Sequence, residues 1–134
     1  MEYAQGGDLS SKIKECRKNK IMFPENVVIK YFYQLTSALR ELHEKKIIHR
    51  DLKTANIFMS SDLQALKVGD MNVSKIIKNH FAYTQTGTPY YASPEVWRDN
   101  PYNTKTDIWS LGCVMFEICN LSPPFNGVDM DELY

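Results

Sequence analysis

The chain has 134 residues, of which 43% are apolar and 24% are charged, and its 16 basic residues balance its 16 acidic ones. This length allows one domain at most, and the balanced charge argues against a nucleic-acid or membrane partner bound by bulk electrostatics. Because the sequence has neither an apolar run of about 18 residues nor a basic start typical of a signal peptide, we expect a soluble intracellular protein.

Two helices are predicted in the first third of the chain. Asp8 is the expected N-cap of a helix that ends near Asn19, and Pro24 begins a longer helical pattern that continues to His43. Apolar residues at three- and four-residue spacing predict the buried faces. In the two helices these residues are Leu9, Ile13 and Cys16, and then Val27, Val28, Tyr31, Phe32, Leu35, Ala38, Leu39 and Leu42.

Extended and irregular segments are predicted next. Ile47–Ile48 resembles a short β-segment, and the two runs Ile57–Met59 and Ala65–Val68 enclose the turn Ser60–Asp62 as a small hairpin. Glycine and proline residues make residues 77–101 mostly irregular.

A second apolar helix is predicted over about Lys105–Asn120, before the stop at Pro123–Pro124. Its expected apolar face consists of Ile108, Leu111, Val114, Met115 and Ile118. The cysteines lack metal-site spacing, and we expect them to be core thiols in a reducing compartment: Cys16, Cys113 and Cys119. The predicted fold class is α+β, mainly α-helical, with small β-hairpins.

The segment His49–Asn56 is called the catalytic loop below. It carries the carboxylate of Asp51, the ammonium group of Lys53 two residues later, and the amide of Asn56 five residues after Asp51. Phosphoryl transfer to a hydroxyl needs a proton acceptor, positive charge and oxygen ligands for Mg²⁺. We predict that Asp51 orients and deprotonates a Ser or Thr hydroxyl and that Lys53 reaches the γ-phosphate. Asn56 and Asp70 are the predicted metal ligands.

The long segment 70–94 is predicted to be a regulated, substrate-binding loop, because structureless stretches of this length are uncommon in compact domains unless they are functional. Arg50 can pair with a phosphate on this loop, and Thr84 and Thr86 are the candidate acceptors, with an ordinary loop hydroxyl as the alternative for each. Thr88 is predicted to bond to the aspartate and lysine of the catalytic loop.

Three motifs, Asp51–Phe58, Gly87–Glu95 and Asp107–Cys113, together most resemble the NIMA-related kinases. Lys53, which follows His-Arg-Asp-Leu, resembles the lysine found at this position in Ser/Thr rather than Tyr kinases. Residues 1–134 resemble a partial protein kinase domain, the C-terminal lobe from the hinge to the segment after the second apolar helix, with the N-terminal lobe missing.

The resemblance implies further roles. Met1, Glu2 and Ala4 would belong to the gatekeeper and hinge that bind adenine, Asp8 would lie near the ribose, and Phe58 would form the floor under the base. The implied cofactors are ATP and Mg²⁺, and the implied partner is a protein Ser/Thr substrate. A cytoplasmic location and cytoskeletal or ciliary partners rest on the resemblance only.

Two structural roles are also implied by the resemblance. His49 and Met71 would stack on each other, and Asp107 would tie the second apolar helix to the backbone of the catalytic loop.

Two departures from the family pattern stand out. The usual Asp-Phe-Gly is Asp70-Met71-Asn72 here, which predicts altered loop switching with metal binding retained. The sequence also contains no G-x-G-x-x-G. We therefore expect part of a longer, non-specific Ser/Thr kinase that is inactive alone. The alternative is a short, non-catalytic, pseudokinase-like binding or decoy module, against which the retained catalytic residues argue.

Overall fold

A computed structural model of the chain describes residues 5–69, 90–98, 100–127 and 129–134. The described part is mostly helical, with a small two-stranded antiparallel sheet. Its elements are α1 (Leu9–Asn19), α2 (Glu25–Glu44), a 3₁₀ turn (Thr54–Asn56), β1 (Ile57–Met59), β2 (Leu66–Val68), α3 (Pro94–Trp97), α4 (Lys105–Asn120) and α5 (Met130–Leu133). None of the described helices has both the length and the apolar character needed to cross a bilayer.

Helix α1 confirms its prediction at both ends. The Asp8 carboxylate accepts the Ser11 N–H at 2.8 Å and so caps the first turn. The helix stops where Lys20 takes a left-handed φ of 56°. The three residues predicted to face inward are all buried: Leu9, Ile13 and Cys16.

Helix α2 buries a narrower face than its apolar pattern predicts. Tyr31, Leu35 and Leu39, spaced four residues apart, are buried. Phe32 is 50% exposed, so its predicted inward position is wrong. One residue advances a helix by about 100°, which carries Phe32 from the stripe of its neighbour Tyr31 into solvent.

The predicted hairpin is confirmed, since β1 pairs antiparallel with β2 in the register Ile57↔Val68. The predicted β-segment at Ile47–Ile48 is not a strand. The Ile47 N–H instead donates to Leu42 O at 2.9 Å, next to Lys46 at φ 60°. These are the features of a Schellman closure, so this backbone ends helix α2.

Helix α3 is a short helix within residues 77–101, which were expected to be mostly irregular with Pro94 as a break. Proline lacks an N–H that the first helical position does not need, so Pro94 begins a short helix instead. Residues 77–89 of that segment lie outside the described part of the chain.

Helix α4 has the predicted bounds and buries Leu111, Val114 and Ile118 as expected. Ile108 is 47% exposed and Cys119 is exposed, so both were wrongly placed in the core. They lie eleven residues apart, within about 20° of each other around the helix, on its solvent side. The opposite side also buries polar residues, namely Thr106, Asp107, Ser110 and Glu117.

The core is formed where α1, α2, β1 and α4 meet. Its largest fully buried apolar side chains are Leu9, Ile13, Leu35, Leu39, Leu52, Ile57, Met59, Val114 and Ile118. The catalytic loop runs across this core, and its Leu52 is buried in it. The loop is therefore anchored by apolar packing as well as by hydrogen bonds.

Candidate active site

Helix α4 fixes the start of the catalytic loop through one carboxylate. Asp107 Oδ2 accepts the backbone N–H of His49 at 2.9 Å, and Oδ1 accepts that of Arg50 at 2.9 Å. Asp107 is fully buried, and its two oxygens satisfy backbone N–H groups that would otherwise lack a partner at this end of the loop. The predicted tie between the second apolar helix and the loop backbone is confirmed.

His43 is a third partner of Asp107 that sequence reasoning missed. Its Nε2 lies 2.7 Å from Asp107 Oδ2. A signal was present, because His43 continues the four-residue spacing of Leu35 and Leu39 on the buried side of α2. A polar residue in line with a buried stripe predicts a buried polar partner.

The His49 ring links the catalytic loop to the residue before Asp70. Its Nε2 donates to Gly69 O at 3.1 Å, and its Nδ1 accepts the Asp51 N–H at 3.3 Å. A carbonyl only accepts, so the ring proton is on Nε2. The Gly69 N–H in turn donates to Asn56 O at 2.9 Å.

Asp51, Lys53 and Asn56 are brought together, as their spacing predicted. Lys53 Nζ lies 3.0 Å from Asp51 Oδ2, and Asn56 Nδ2 donates to the same oxygen at 2.9 Å. The side chains of Asp51 and Lys53 keep 24% and 28% of their surface exposed, so both remain accessible to a substrate. Their chemical roles remain predictions.

Arg50 has an unusual backbone, with φ at 71°, and its guanidinium lies 5.4 Å from the ring centre of Tyr102. The predicted phosphate-bearing partners Thr84 and Thr86 lie outside the described residues, as does Thr88. The regulatory role of Arg50 and the position of these threonines therefore stay predictions.

The two described residues on the predicted nucleotide side are neighbours. An isolated antiparallel bridge joins Asp8 and Phe58. The Phe58 ring covers Gly69, where an added Cβ would come within 2.6 Å of the ring. The Asp8 carboxylate is used as the α1 cap, and its predicted position near a ribose is untested.

The remaining predicted nucleotide residues, Met1, Glu2 and Ala4, lie outside the described part of the chain, as do the metal ligand Asp70 and Met71, the predicted stacking partner of His49.

The described half of the predicted metal site offers one amide oxygen. Asn56 Nδ2 faces Asp51, which leaves Oδ1 as the atom available to a cation. Neutral amide and carboxylate oxygens are ligands that Mg²⁺ accepts, so Asn56 fits the role. Within the described ranges no group of three or more His, Cys, Asp or Glu side chains is placed to hold a metal ion.

Comparison with known proteins identifies the family. The protein kinase domain model matches residues 1–134. Human serine/threonine-protein kinase Nek5 is 43% identical over 99% of this chain, and mouse serine/threonine-protein kinase Nek4 is 45% identical over 99% of it. Human serine/threonine-protein kinase Nek2 is also 45% identical over 99%. The chain spans 19%, 17% and 31% of the lengths of these relatives, respectively.

Proposed function

Since the chain belongs to the protein kinase domain family, we propose that it carries the catalytic loop of a serine/threonine protein kinase. The reaction is transfer of the γ-phosphate of ATP to a Ser or Thr hydroxyl of a protein. The observation that supports it most is the convergence of Lys53 and Asn56 on one oxygen of Asp51. A base, a cation and an amide at one point are the groups this reaction uses.

The proposed chemistry assigns one task to each group. Asp51 holds and accepts the proton of the substrate hydroxyl, whose oxygen bonds to the γ-phosphorus as the bond to ADP breaks. Lys53 lies beside that oxygen and stabilises the charge of the transferred group. Because both contacts within the described residues use Asp51 Oδ2, the substrate hydroxyl is assigned to Oδ1.

ATP and Mg²⁺ are the proposed ligands. Asn56 and Asp70 would hold the metal ion, which supplies charge neutralisation to the phosphates when bound. Phe58 and Asp8 would contact the nucleoside, together with Met1, Glu2 and Ala4. The kinase family in general uses these two ligands, and their binding to this chain is part of the proposal.

The 134 residues are proposed to act as the C-terminal lobe within a longer polypeptide. They contain no G-x-G-x-x-G to cover the phosphates, and the relatives named above are several times longer. We therefore expect negligible activity from these residues alone.

A cytoplasmic location with cytoskeletal or ciliary partners is proposed from the family resemblance. Microscopy of the tagged chain in ciliated cells tests this location, and a uniform nuclear signal would contradict it.

A domain chimera tests the activity. The segment of human Nek2 that aligns with this chain is replaced by residues 1–134, and ³²P transfer from γ-labelled ATP to casein is measured. We expect phosphoserine and phosphothreonine from the chimera, and a loss of about 10²–10⁴-fold in Asp51→Asn.

Asp62→Asn, a matching change in the exposed hairpin turn, is the control and should leave transfer unchanged. A folded chimera without transfer would favour the non-catalytic binding module, and an Asp51→Asn chimera of full activity would remove Asp51 from the chemistry.

A further inference from the structure

A buried polar cluster joins three distant parts of the chain. It consists of Thr54 in the catalytic loop, Tyr91, and Glu117 on α4, and is called the hydroxyl–carboxylate cluster below. Tyr91 Oη donates to Glu117 Oε2 at 2.5 Å. The Thr54 hydroxyl has two acceptors in reach, Glu117 Oε2 at 3.2 Å and Tyr91 Oη at 3.0 Å.

The cluster is deeply placed. Thr54 is 1% exposed and Glu117 is 7% exposed. A carboxyl group on the inner side of a helix is costly to bury unless its oxygens are hydrogen-bonded, and an apolar residue would be cheaper at that position. Burial and the contact with Glu117 raise the pKa of the Tyr91 phenol, so Tyr91 remains a donor across the neutral pH range.

Glu117 gives α4 a second hold on the catalytic loop. Asp107 binds the backbone at the start of the loop, and Glu117 binds Thr54 near its end. These two acids are ten residues apart, or about 15 Å along one helix. Lys53 directly precedes Thr54, and Asn56 ends the 3₁₀ turn that Thr54 begins, so contacts that hold Thr54 in place also hold this turn.

Tyr91 is held by its backbone as well as by its phenol. The Ser110 hydroxyl donates to Tyr91 O at 2.8 Å, and the hydroxyls of Ser93 and Thr106 lie 2.7 Å apart. The segment Tyr91–Ser93 lies in the described C-terminal part of the predicted substrate-binding loop, residues 70–94. The hydroxyl–carboxylate cluster thus joins that segment to the catalytic loop.

We propose that Thr54 is a positioning residue, which holds the catalytic loop in register with the substrate-supporting segment through Glu117 and Tyr91. The hydroxyl of Thr54, rather than its methyl group, performs this role. The effect of Thr54 on catalysis rests on the proposed function, whereas its effect on the order of the catalytic loop can be measured without any kinase activity.

Hydrogen exchange on the 134-residue chain tests the positioning. Thr54→Val keeps the shape and removes the hydroxyl, whereas Thr54→Ser keeps the hydroxyl. In Thr54→Val we expect the catalytic-loop amides, including the Asn56 N–H that donates to Lys53 O, to exchange about tenfold faster, the factor that corresponds to one buried hydrogen bond. In Thr54→Ser they should stay within about twofold of the parent.

Amides in the middle of helix α2, which bond within that helix, are the internal reference and should not change. Equal acceleration at all amides would reduce Thr54 to a general stability role, and no acceleration would overturn the proposal. Tyr91→Phe, which removes the second hydroxyl, serves if Thr54→Val does not fold, and it should loosen the same loop.

The Nek2 chimera extends the test to catalysis. Thr54→Val should raise the KM for peptide about tenfold and the KM for ATP by a smaller factor, since the turn also carries Asn56, and Thr54→Ser should restore both. Equal changes in both constants would contradict a role in substrate register. A parent chimera without transfer would overturn the proposed function and leave the exchange result on the 134-residue chain standing.

Discussion

The side-chain amide of Asn56 donates to both the backbone oxygen and the carboxylate of Asp51, each at 2.9 Å. One NH₂ group therefore closes the catalytic loop and orients its acid. The 3₁₀ turn Thr54–Asn56 is what brings the amide back over the loop. Asn56 has a structural task that a carboxylate could not perform.

Replacing Asn56 by Asp tests that task against metal binding. Asn56→Asp adds a charged metal ligand but places one carboxylate oxygen against another, and their repulsion opens the loop. We expect phosphate transfer by the Nek2 chimera to fall by about 10²-fold or more, with no recovery at high Mg²⁺. The rate is measured across a Mg²⁺ titration.

The matched control for this charge change is Asn126→Asp at an exposed position, which should transfer phosphate like the parent. Recovery of Asn56→Asp at high Mg²⁺ would mean that metal affinity, and not loop closure, limits the rate.

Asp107→Asn should destabilise the chain, because an amide offers one oxygen where two backbone N–H groups need acceptors. The expected loss is about 1–3 kcal/mol in the free energy of unfolding. Urea unfolding at pH 7 measures it. Asp131→Asn, on the exposed side of α5, should leave the free energy unchanged, and equal effects of the two substitutions would contradict a special role for Asp107.

Two adjacent glycines should differ in their tolerance of alanine. An added Cβ at Gly6 would lie 2.2 Å from Ser60 O, a backbone atom, and would break the Gly6 N–H bond to Met59 O. Gly7 has open space but a φ of 75°. We expect Gly6→Ala to cost about 3 kcal/mol or more and Gly7→Ala about 1–2 kcal/mol.

Urea unfolding of the two alanine variants checks this order. A smaller loss for Gly6→Ala than for Gly7→Ala would show that the hairpin can move away from residue 6.

Cys113 should make the free energy of unfolding depend on pH in the alkaline range. Burial raises the pKa of its thiol from 9.0 to about 11. The unfolded thiol loses its proton first, so this stabilisation is complete below pH 9 and is lost as the pH rises through 11. The loss is at most about 1.4 kcal/mol per pH unit.

The free energy of unfolding is measured between pH 8 and 11 for the parent and for Cys113→Ala. The difference between the two curves gives the contribution of the thiol, and the curve of the variant should be flatter. Parallel curves would show that the folded thiol titrates normally.

Local pattern predicted much of the described fold. Helical spacing and capping residues gave the bounds of α1 and α4 and, within one or two residues, of α2. Spacing cannot tell how wide a side of each helix the neighbours cover, and for that reason Phe32, Ile108 and Cys119 were placed in the core. Ile47 was misread because its amide ends a helix through a contact that no strand pattern encodes.

In the candidate site, too, contacts between residues close in sequence were predicted from local pattern and contacts between distant residues were not. Asp51, Lys53 and Asn56 lie within six residues, and the sequence predicted their proximity directly. Thr54 and Glu117 are 63 residues apart, and no periodicity relates them. Helix α4 was read as apolar, so its buried polar side was recognised only at Asp107, through the family resemblance.

The two acids of α4 also limit how this helix can change. Deleting one residue between Asp107 and Glu117 would rotate one acid by about 100° relative to the other and shorten their separation by about 1.5 Å. The catalytic loop would then lose the carboxylate acceptor at one of its two ends. Outward-facing residues such as Ile108 can be exchanged freely, but the length of this interval is fixed, and insertions or deletions there are incompatible with an ordered loop.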